Sequence, residues 1–388
     1  MTTARPAGFR ILLIATYSQA LSAFVAPLAR FLDERGHRVT MAASDEPLIG
    51  PATFPQLQAD GFDTRVIRFT NRMRPGRDLA SARDVYTLVR RERFDVVHTF
   101  TAKAGFLGRV AARLARAPVV VHTAFSFPHL DTPEKSWLYL PMERIATRAS
   151  DHLFCISELG HRQAATIGAS PRSGISNPGI GLNLDRFADL RPRDEARAAL
   201  GLPLDAPIVG TAGRQVAHKR IDLFLQACRL IANARPDARF VVLGGGPERD
   251  SLRALASRLQ LDDRVRFIDR LGDDEMAAYY RALDVFMLPT KREGFGMVFA
   301  EAMSQQTPVV GPRIPPVDEI VVHDETGALV DGDSAEAYAA AVLALIDDPA
   351  RRGRFGAAAR ARVWEVFDER RCFARIEGTY RWLMEARR

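Results

Sequence analysis

Glu293 and Glu301 stand seven residues apart, in the sense that seven others separate them, within KREGFGMVFAEAMSQQTPVVG, a stretch otherwise made mostly of small and apolar residues. Acids seldom sit inside such a run unless they are paired or bind something. Between them, Gly294 and Gly296 bracket Phe295 at the turn into a helix that carries Met297, Val298, Ala300, Ala302 and Met303. A buried helix that begins on glycines presents unpaired N–H groups and the positive end of its dipole, which suits a phosphate. The first acid then faces whatever is held at the helix start, and the second faces a part of the ligand two turns further along. The plain alternative is a solvated Glu293 and an ordinary helix acid at Glu301; the apolar flanks weigh against it.

A second group of chemistry-bearing residues lies in the loop AGRQVAHKR. There Gly213 lets the backbone turn closely, Arg214 offers a planar fork of donors, and Lys219 places a point charge at the head of the next helix. Gly244 to Gly246 follow the strand Phe240–Leu243, but Arg249 occupies the third glycine's place in a dinucleotide fingerprint, which weakens an oxidoreductase reading. Nearer the N-terminus, loops after Ala15, His98 and Thr123 carry Tyr17, Ser18, Thr101, Lys103 and Ser126. Lys103 opens a helix against its dipole, so an anionic partner is expected. His98, His122 and His129 lack metal-ligand spacing and read as structural, with His122, closing a strand beside the expected cleft, kept as a candidate. Asp331-Gly332-Asp333 matches the bare Asp-x-Asp metal pattern, yet its place between a strand and a helix reads as a turn and helix cap.

The elements that must position these groups alternate along the chain. Apolar strands are expected at FRILLIA (9–15), Arg38 to Ala42, Asp63 to Arg68, Asp95 to His98, Pro118 to Thr123 and His152 to Ile156, with helices at Ala20 to Glu34, Ala80 to Glu92, Ala104 to Ala115 and Glu134 to Ala149. Such alternation argues a doubly wound parallel sheet with ligands off the carboxyl ends of its strands. ISNPGIGLNLDRF (175–187) is rich in turn formers and separates this array from a second one, whose strands begin at Ile208, Phe240, Val265 and Asp284. The last stretch, from Asp368, reads as an amphipathic helix through Phe373, Ile376, Tyr380 and Leu383.

The Glu-x7-Glu stretch resembles the signature of retaining glycosyltransferases of family four, and HTFTAKAGFLGRVAARLARAPVVVHT resembles the N-terminal domain of members that build bacterial polysaccharides and glycans. The resemblance spans nearly the whole chain and is strongest from Gly213 to Gly311. It implies an α/β GT-B fold of two Rossmann-like doubly wound domains facing across a cleft: residues 1–178 for the acceptor, 179–367 for a nucleotide sugar, and a helix over 368–388 that crosses back to the first domain. It further implies that Glu293 binds the donor sugar and Glu301 the ribose, that Arg214 and Lys219 grip the diphosphate, and that Gly213, Gly246, Gly294, Phe295, Gly296, Met297 and Val298 line the donor. Arg270 and Leu271 lie where the family meets the base through backbone groups. Tyr17, Ser18, Lys103, His122, Phe125 and Ser126 fall on the acceptor side; many members have a histidine where this chain has Phe125, and a glycine pair where it has Tyr17 and Ser18. The implied reaction is sugar transfer from a nucleotide diphosphate sugar to an acceptor hydroxyl, retaining, with no metal or other cofactor. An epimerase or phosphorylase on the same fold, or a binding-only relative, are the competing readings.

At 388 residues the chain suits two domains, and its 47% hydrophobic and 26% charged content is that of an ordinary globular protein. No apolar segment reaches the ~20 residues of a membrane span, and Ile11 to Ala15 is too short a run for a signal peptide, so a cytosolic location is expected. Cys155, Cys228 and Cys372 lie in apolar settings and read as buried free thiols. The net charge of +7 calls for acidic partners. No nucleic-acid module is recognisable; the arginines at 65, 68, 72, 74, 77, 90, 91 and 93 are either a solvated surface or, with the stripe Leu21, Phe24, Val25, Leu28 and Phe31, whose spacing more often means core, a face for an anionic membrane surface and a lipid-linked or saccharide acceptor.

Overall fold

The computed structural model describes residues 8–46, 53–70, 72–125, 127–131 and 133–387. The chain divides into two compact units, Met1–Gly179 with Arg370–Arg388, and Ile180–Glu369.

In the first unit, β1 (Arg10–Tyr17), β2 (Arg38–Ser44), β3 (Asp63–Val66), β4 (Val96–Phe100), β5 (Val119–Ala124), β6 (His152–Cys155) and β7 (Ile175–Ser176) form a parallel sheet in the order β3-β2-β1-β4-β5-β6-β7. Its strands are apolar on both faces because helices cover both. Along β1, Leu12 and Ile14 join a cluster with Val85, Val89 and Ala111, whereas Ile11 and Leu13 join one with Leu28, Leu32, Ile376 and Tyr380. The helix Glu369–Glu385 is thus a structural part of the first unit, tied down by Glu377, which accepts from Arg35, His37 and Arg381.

The second unit holds β8 (Ile208–Ala212), β9 (Arg239–Leu243), β10 (Val265–Ile268), β11 (Val285–Met287), β12 (Val309–Pro312) and β13 (Gly327–Val330), again parallel, in the order β10-β9-β8-β11-β12-β13. Strand order reverses between β1 and β4 in one unit and between β8 and β11 in the other, and a doubly wound sheet opens its ligand crevice at that reversal.

Three local expectations are corrected. The helix over 20–34 is not uniform: Leu21–Val25 is a π turn and the α-helix proper is Ala26–Glu34, because Pro27 has no N–H to bond back and the preceding turn widens. Leu21, Val25 and Leu28 of the apolar stripe are core, as its helical spacing suggested, and Phe24 alone of the stripe is well exposed. The expected linker contains β7 and the 3-10 turn Leu184–Phe187. The strand expected from Asp284 to Pro289 is confined to β11; Asp284 is occupied by Arg193, Arg197 and the Ile208 amide. Cys155, Cys228 and Cys372 are free and buried.

Candidate functional site

The ends of β8 and β11 bring the two sequence groups together. β8 runs into Gly213 and Arg214, then a 3-10 turn, Ala217–Lys219. The chain leaving β11 folds against that turn, with Thr290 Oγ1 and the Lys291 amide both donating to the His218 carbonyl, at 3.0 and 2.7 Å. This lock places Lys219 Nζ on Glu293 Oε1. The side chains are only 15% and 7% exposed, so the pair is sheltered and removing either partner leaves the other charge uncompensated. Arg214 is exposed and forms no ion pair among the described residues. It nonetheless lies in the same field: the His218 imidazole is held below its ordinary range by burial first, then by Lys219, Arg292 and Arg214, with Glu293 opposing.

The helix after Glu293 is Met297–Ser304, opened by Gly296 at φ 99°. A Cβ there would meet Phe299 at 3.2 Å and Ile320 at 3.3 Å in a conformation that L side chains avoid, so glycine is required. The amides of Met297 and Val298 precede the first bond of this turn, from Phe299 N to the Gly296 carbonyl, and face outward from the helix start. Gly294 is exposed; Phe295 is buried edge-on to Phe367. Two turns along, Glu301 Oε2 accepts from the Tyr280 hydroxyl at 2.6 Å. Burial pushes the Glu301 carboxyl up, opposed by that hydrogen bond and by Arg186.

Other expected members stand apart from this centre. Gly246 has a packing reason of its own: a Cβ would lie 2.3 Å from the Gln215 carbonyl oxygen, where the loops after β8 and β9 are zipped by bonds such as Gln215 N to the Gly245 carbonyl. Arg270 is exposed and Leu271 partly so, in the loop after β10 at the sheet edge. Asp331 is paired with Arg313, and Asp333 with Arg220 and Lys291, while Ser334 caps the helix Ala335–Ile346. A cavity of about 620 Å³ adjoins the 217–219 turn, lined in part by His218, Arg220 and Lys291, but not by Arg214, Glu293 or Glu301.

In the first unit, Thr16 near the end of β1 and Thr101 just past β4 have hydroxyls 2.7 Å apart. Thr101 has φ 62°, an uncommon conformation for a β-branched residue, and opens the helix Ala102–Leu114. The anion expected for Lys103 is Asp78 of the same unit, at 2.8 Å. The other two ammonium protons go to Thr70 Oγ1 and the Arg72 carbonyl, so all three donors are used. His122 is tied into the sheet. It is 4% exposed, with Nδ1 against Thr99 Oγ1 and the Thr99 carbonyl and Gly105 packed on its ring, and burial and then Arg109 hold it well below its ordinary range. The Tyr17 hydroxyl and Ser18 Oγ are buried without a hydrogen-bond partner among the described residues, and Phe125 packs against Phe24 with ring centres 5.5 Å apart. Ser126 lies outside the described residues.

Comparison with known proteins decides the family. A model described as "Glycosyl transferase 4-like domain" matches residues 20–175, and one described as "Glycosyl transferases group 1" matches 192–362. A D-inositol 3-phosphate glycosyltransferase of Streptomyces avermitilis is 32% identical over 311 residues, covering 76% of this chain and 67% of the relative. The chain belongs to the group 1 glycosyl transferases. Another D-inositol 3-phosphate glycosyltransferase, of Thermobispora bispora, is 33% identical, with 71% of each chain covered. The chain spans about two thirds of the length of such relatives. This glycosyltransferase superposes on sucrose-phosphate synthase from Thermosynechococcus elongatus with a TM-score of 0.78 at 23% identity, covering 97% and 100% of the two chains. HepE of Anabaena in complex with UDP gives 0.81 at 20% identity, covering 95% and 99%. The shared architecture is GT-B.

Sequence reasoning missed four side chains of this glycosyltransferase's second unit. Tyr280 and Arg186 surround Glu301, and His218 and Arg292 share the field of Lys219. The tyrosine pair in AAYYRALD was a readable signal, because a phenol rarely occupies the buried face of a helix without a partner for its hydroxyl.

Proposed function

We propose that this enzyme moves a sugar from a nucleotide diphosphate sugar to an acceptor hydroxyl, with retention at the anomeric carbon and without a bound metal. The observation that carries the reading is the sheltered Lys219–Glu293 pair at the reversal of the sheet, beside a helix that opens on Gly296. In this reading Glu293 accepts from hydroxyls of the donor sugar and Glu301 from those of the ribose. Gly213, Gly294, Phe295, Gly296, Met297 and Val298 line the phosphates and the sugar, and the backbone at Arg270 and Leu271 meets the base. When the bond from the anomeric carbon to the diphosphate oxygen breaks, negative charge grows on the leaving group. Lys219 and the first amides of the helix are fixed charge and dipole beside it, and the exposed Arg214 turns toward it. A diphosphate oxygen takes the acceptor's proton as the new bond forms on the same face. That Asp331 and Asp333 are engaged by the protein's own cations supports metal independence.

A panel of UDP- and GDP-sugars, assayed for hydrolysis and transfer with EDTA and then with manganese, tests this. Turnover that survives chelation is the expected result; loss of activity that manganese restores would overturn the metal-free reading, and a panel without any turnover would overturn the donor class.

For the acceptor, the reading is a lipid-linked glycan of cell-surface polysaccharide assembly, met at the cytoplasmic membrane face. Arg65 and Arg68 are spent on Asp63, Glu92 and Asp84. The support comes from the helix Pro75–Glu92 and the loop before it, where Arg72, Arg74, Arg77, Arg83, Arg90 and Arg91 are exposed alongside Leu79, Met73 and Tyr86. Anionic lipid attracts about 1 kcal/mol per basic residue near its surface. No helix among the described residues is long and apolar enough to cross a membrane. Flotation with phosphatidylglycerol vesicles at low salt should carry the protein upward and salt should release it; a protein that stays at the bottom rules this surface out. A second reading, a soluble phosphorylated polyol, is favoured by the names of the inositol phosphate relatives. Transfer to such an acceptor without vesicles distinguishes it.

A further inference from the structure

Tyr280 is fully buried, and nothing in the proposed chemistry uses it. Its surroundings leave it no freedom. The ring lies edge-on to Tyr279 and Phe286, with centres 5.2 and 5.8 Å away, and Thr307 Oγ1 donates to its carbonyl at 2.7 Å. Next to it, the Tyr279 hydroxyl donates to the Thr211 carbonyl at 2.7 Å and so pins the helix Asp273–Ala282 to the end of β8. From this fixed frame the Tyr280 hydroxyl reaches one oxygen of Glu301, Oε2, at 2.6 Å. A carboxylate with one oxygen held loses its rotation about the last side-chain bond, and the other oxygen is left in a defined direction for a ligand.

We propose that Tyr280 is a positioning residue for nucleotide binding: its phenol holds Glu301 Oε2 so that Oε1 accepts from the vicinal hydroxyls of the nucleoside diphosphate's ribose. The inference rests on the reading of Glu301 as the ribose ligand. It gives the buried tyrosine a function that a merely space-filling ring would lack, because only the hydroxyl, not the ring, is needed for it.

Protons compete for the same carboxylate. Burial raises Glu301, and the Tyr280 hydrogen bond and Arg186 bring it back down. Among the described residues, the elements packed on that helix also bring Tyr279 on the tyrosine's own helix, Arg281, which donates to the Gln305 carbonyl, Arg360, which donates to the Ser304 carbonyl, Asp185 of the turn Leu184–Phe187, and Asp318 and Glu319 of the helix Val317–Ile320. Taking away the phenol donor removes a contribution that favours the charged form, so Glu301 is protonated at higher pH. A protonated carboxyl accepts less well from ribose hydroxyls, and nucleotide affinity then falls away earlier as the solution is acidified.

The test is calorimetric titration of the full chain with UDP and GDP, and with their 2′-deoxy forms, from pH 5 to 8. Tyr280→Phe is expected to weaken the better-bound nucleotide by roughly tenfold at neutral pH, the usual scale for a lost charge-assisted hydrogen bond. The acidic limb should move upward in pH, and the preference for the ribo over the 2′-deoxy form should shrink. Tyr279→Phe is the control, because it deletes a buried hydrogen bond of the same helix without touching Glu301; a purely structural role predicts the same behaviour from both variants and would overturn the proposal. So would an unchanged affinity and pH limb in Tyr280→Phe. Should that variant not fold, 3-fluorotyrosine installed at position 280, a stronger donor of nearly the same size, should move the acidic limb downward in pH, and an unmoved limb counts against the proposal. Glu301→Gln separates the two layers: if it leaves the ribo and 2′-deoxy forms bound alike to wild type, the ribose assignment fails, whatever Tyr280 does.

Discussion

Lys219 and Glu293 neutralise one another before any ligand arrives, which makes the two cations of the site unequal. Arg214 is exposed and free to turn toward a diphosphate, whereas Lys219 is part of a sheltered pair. Arg214→Ala and Lys219→Ala are each expected to lower turnover by roughly a hundredfold, the scale for removing one preorganised charge stabiliser. Only Lys219→Ala should also cost stability, because it leaves Glu293 sheltered and unpaired. Turnover measured beside urea unfolding separates the two, and near wild-type rates in both variants would remove the diphosphate role. The residue types of this site and their local spacing were legible in the chain, since Glu293 and Glu301 lie just before and on one helix and Arg214 and Lys219 share one loop. The ion pair was not, because its partners are 74 residues apart and meet only where β8 and β11 end side by side. Lys103 teaches the same lesson: an unfavourable place at a helix start signalled an anion, and the anion is Asp78, 25 residues upstream, rather than a ligand.

At the scale of elements, the alternation of apolar runs and helical periods gave the order of strands and helices, since parallel strands buried on both faces read as continuous hydrophobic runs. What escaped are features that depend on a single residue or on a neighbour: the π turn before Pro27, and the two-residue strand β7, which is ordered only by pairing with β6. The amphipathic period from Asp368 onward did announce a helix with one buried face. That face is anchored by more than apolar contact, because the Tyr380 hydroxyl shares a hydrogen bond with His98 Nδ1 in the middle of the first unit's sheet, and His98 Nε2 lies 2.7 Å from Thr123 Oγ1. Tyr380→Phe keeps the ring and strands the imidazole nitrogen. The expected cost is about 1–3 kcal/mol, the penalty of leaving a buried polar group unsatisfied, read as a lower urea midpoint with an unchanged slope. A variant as stable as wild type would show that water replaces the phenol.

Across the whole molecule, titratable groups are distributed unevenly between the two units, and acid should find the difference. His98, His122 and His152 all lie in the first unit, buried; burial lowers His98 to about 3 and His152 to about 4, and holds His122 well below its ordinary range. The second unit has only His218 and His323, both exposed, and of these His218 is held below its ordinary range, so one depressed histidine there stands against three in the first unit. A histidine whose folded pKa is depressed stays neutral in the folded chain while the unfolded chain binds a proton. Its penalty is therefore absent above the unfolded value of 6.5 and grows as pH falls below it, until the folded pKa is reached. The slope is about 1.4 kcal/mol per pH unit for each such histidine. Lower still, protonation of Glu377, whose pKa is lowered by His37, Arg381 and Arg35 against the opposing effect of burial, loosens the helix Glu369–Glu385 from the same unit. Between pH 7 and pH 5 the first unit should thus lose several times more stability than the second. Scanning calorimetry at both pH values, with the products of limited proteolysis identified by mass, reads this directly: at pH 5 the transition assigned to the first unit, Met1–Gly179 with Arg370–Arg388, should precede that of Ile180–Glu369. If His98→Gln and His152→Gln leave the acid shift unchanged, the buried imidazoles are not its cause.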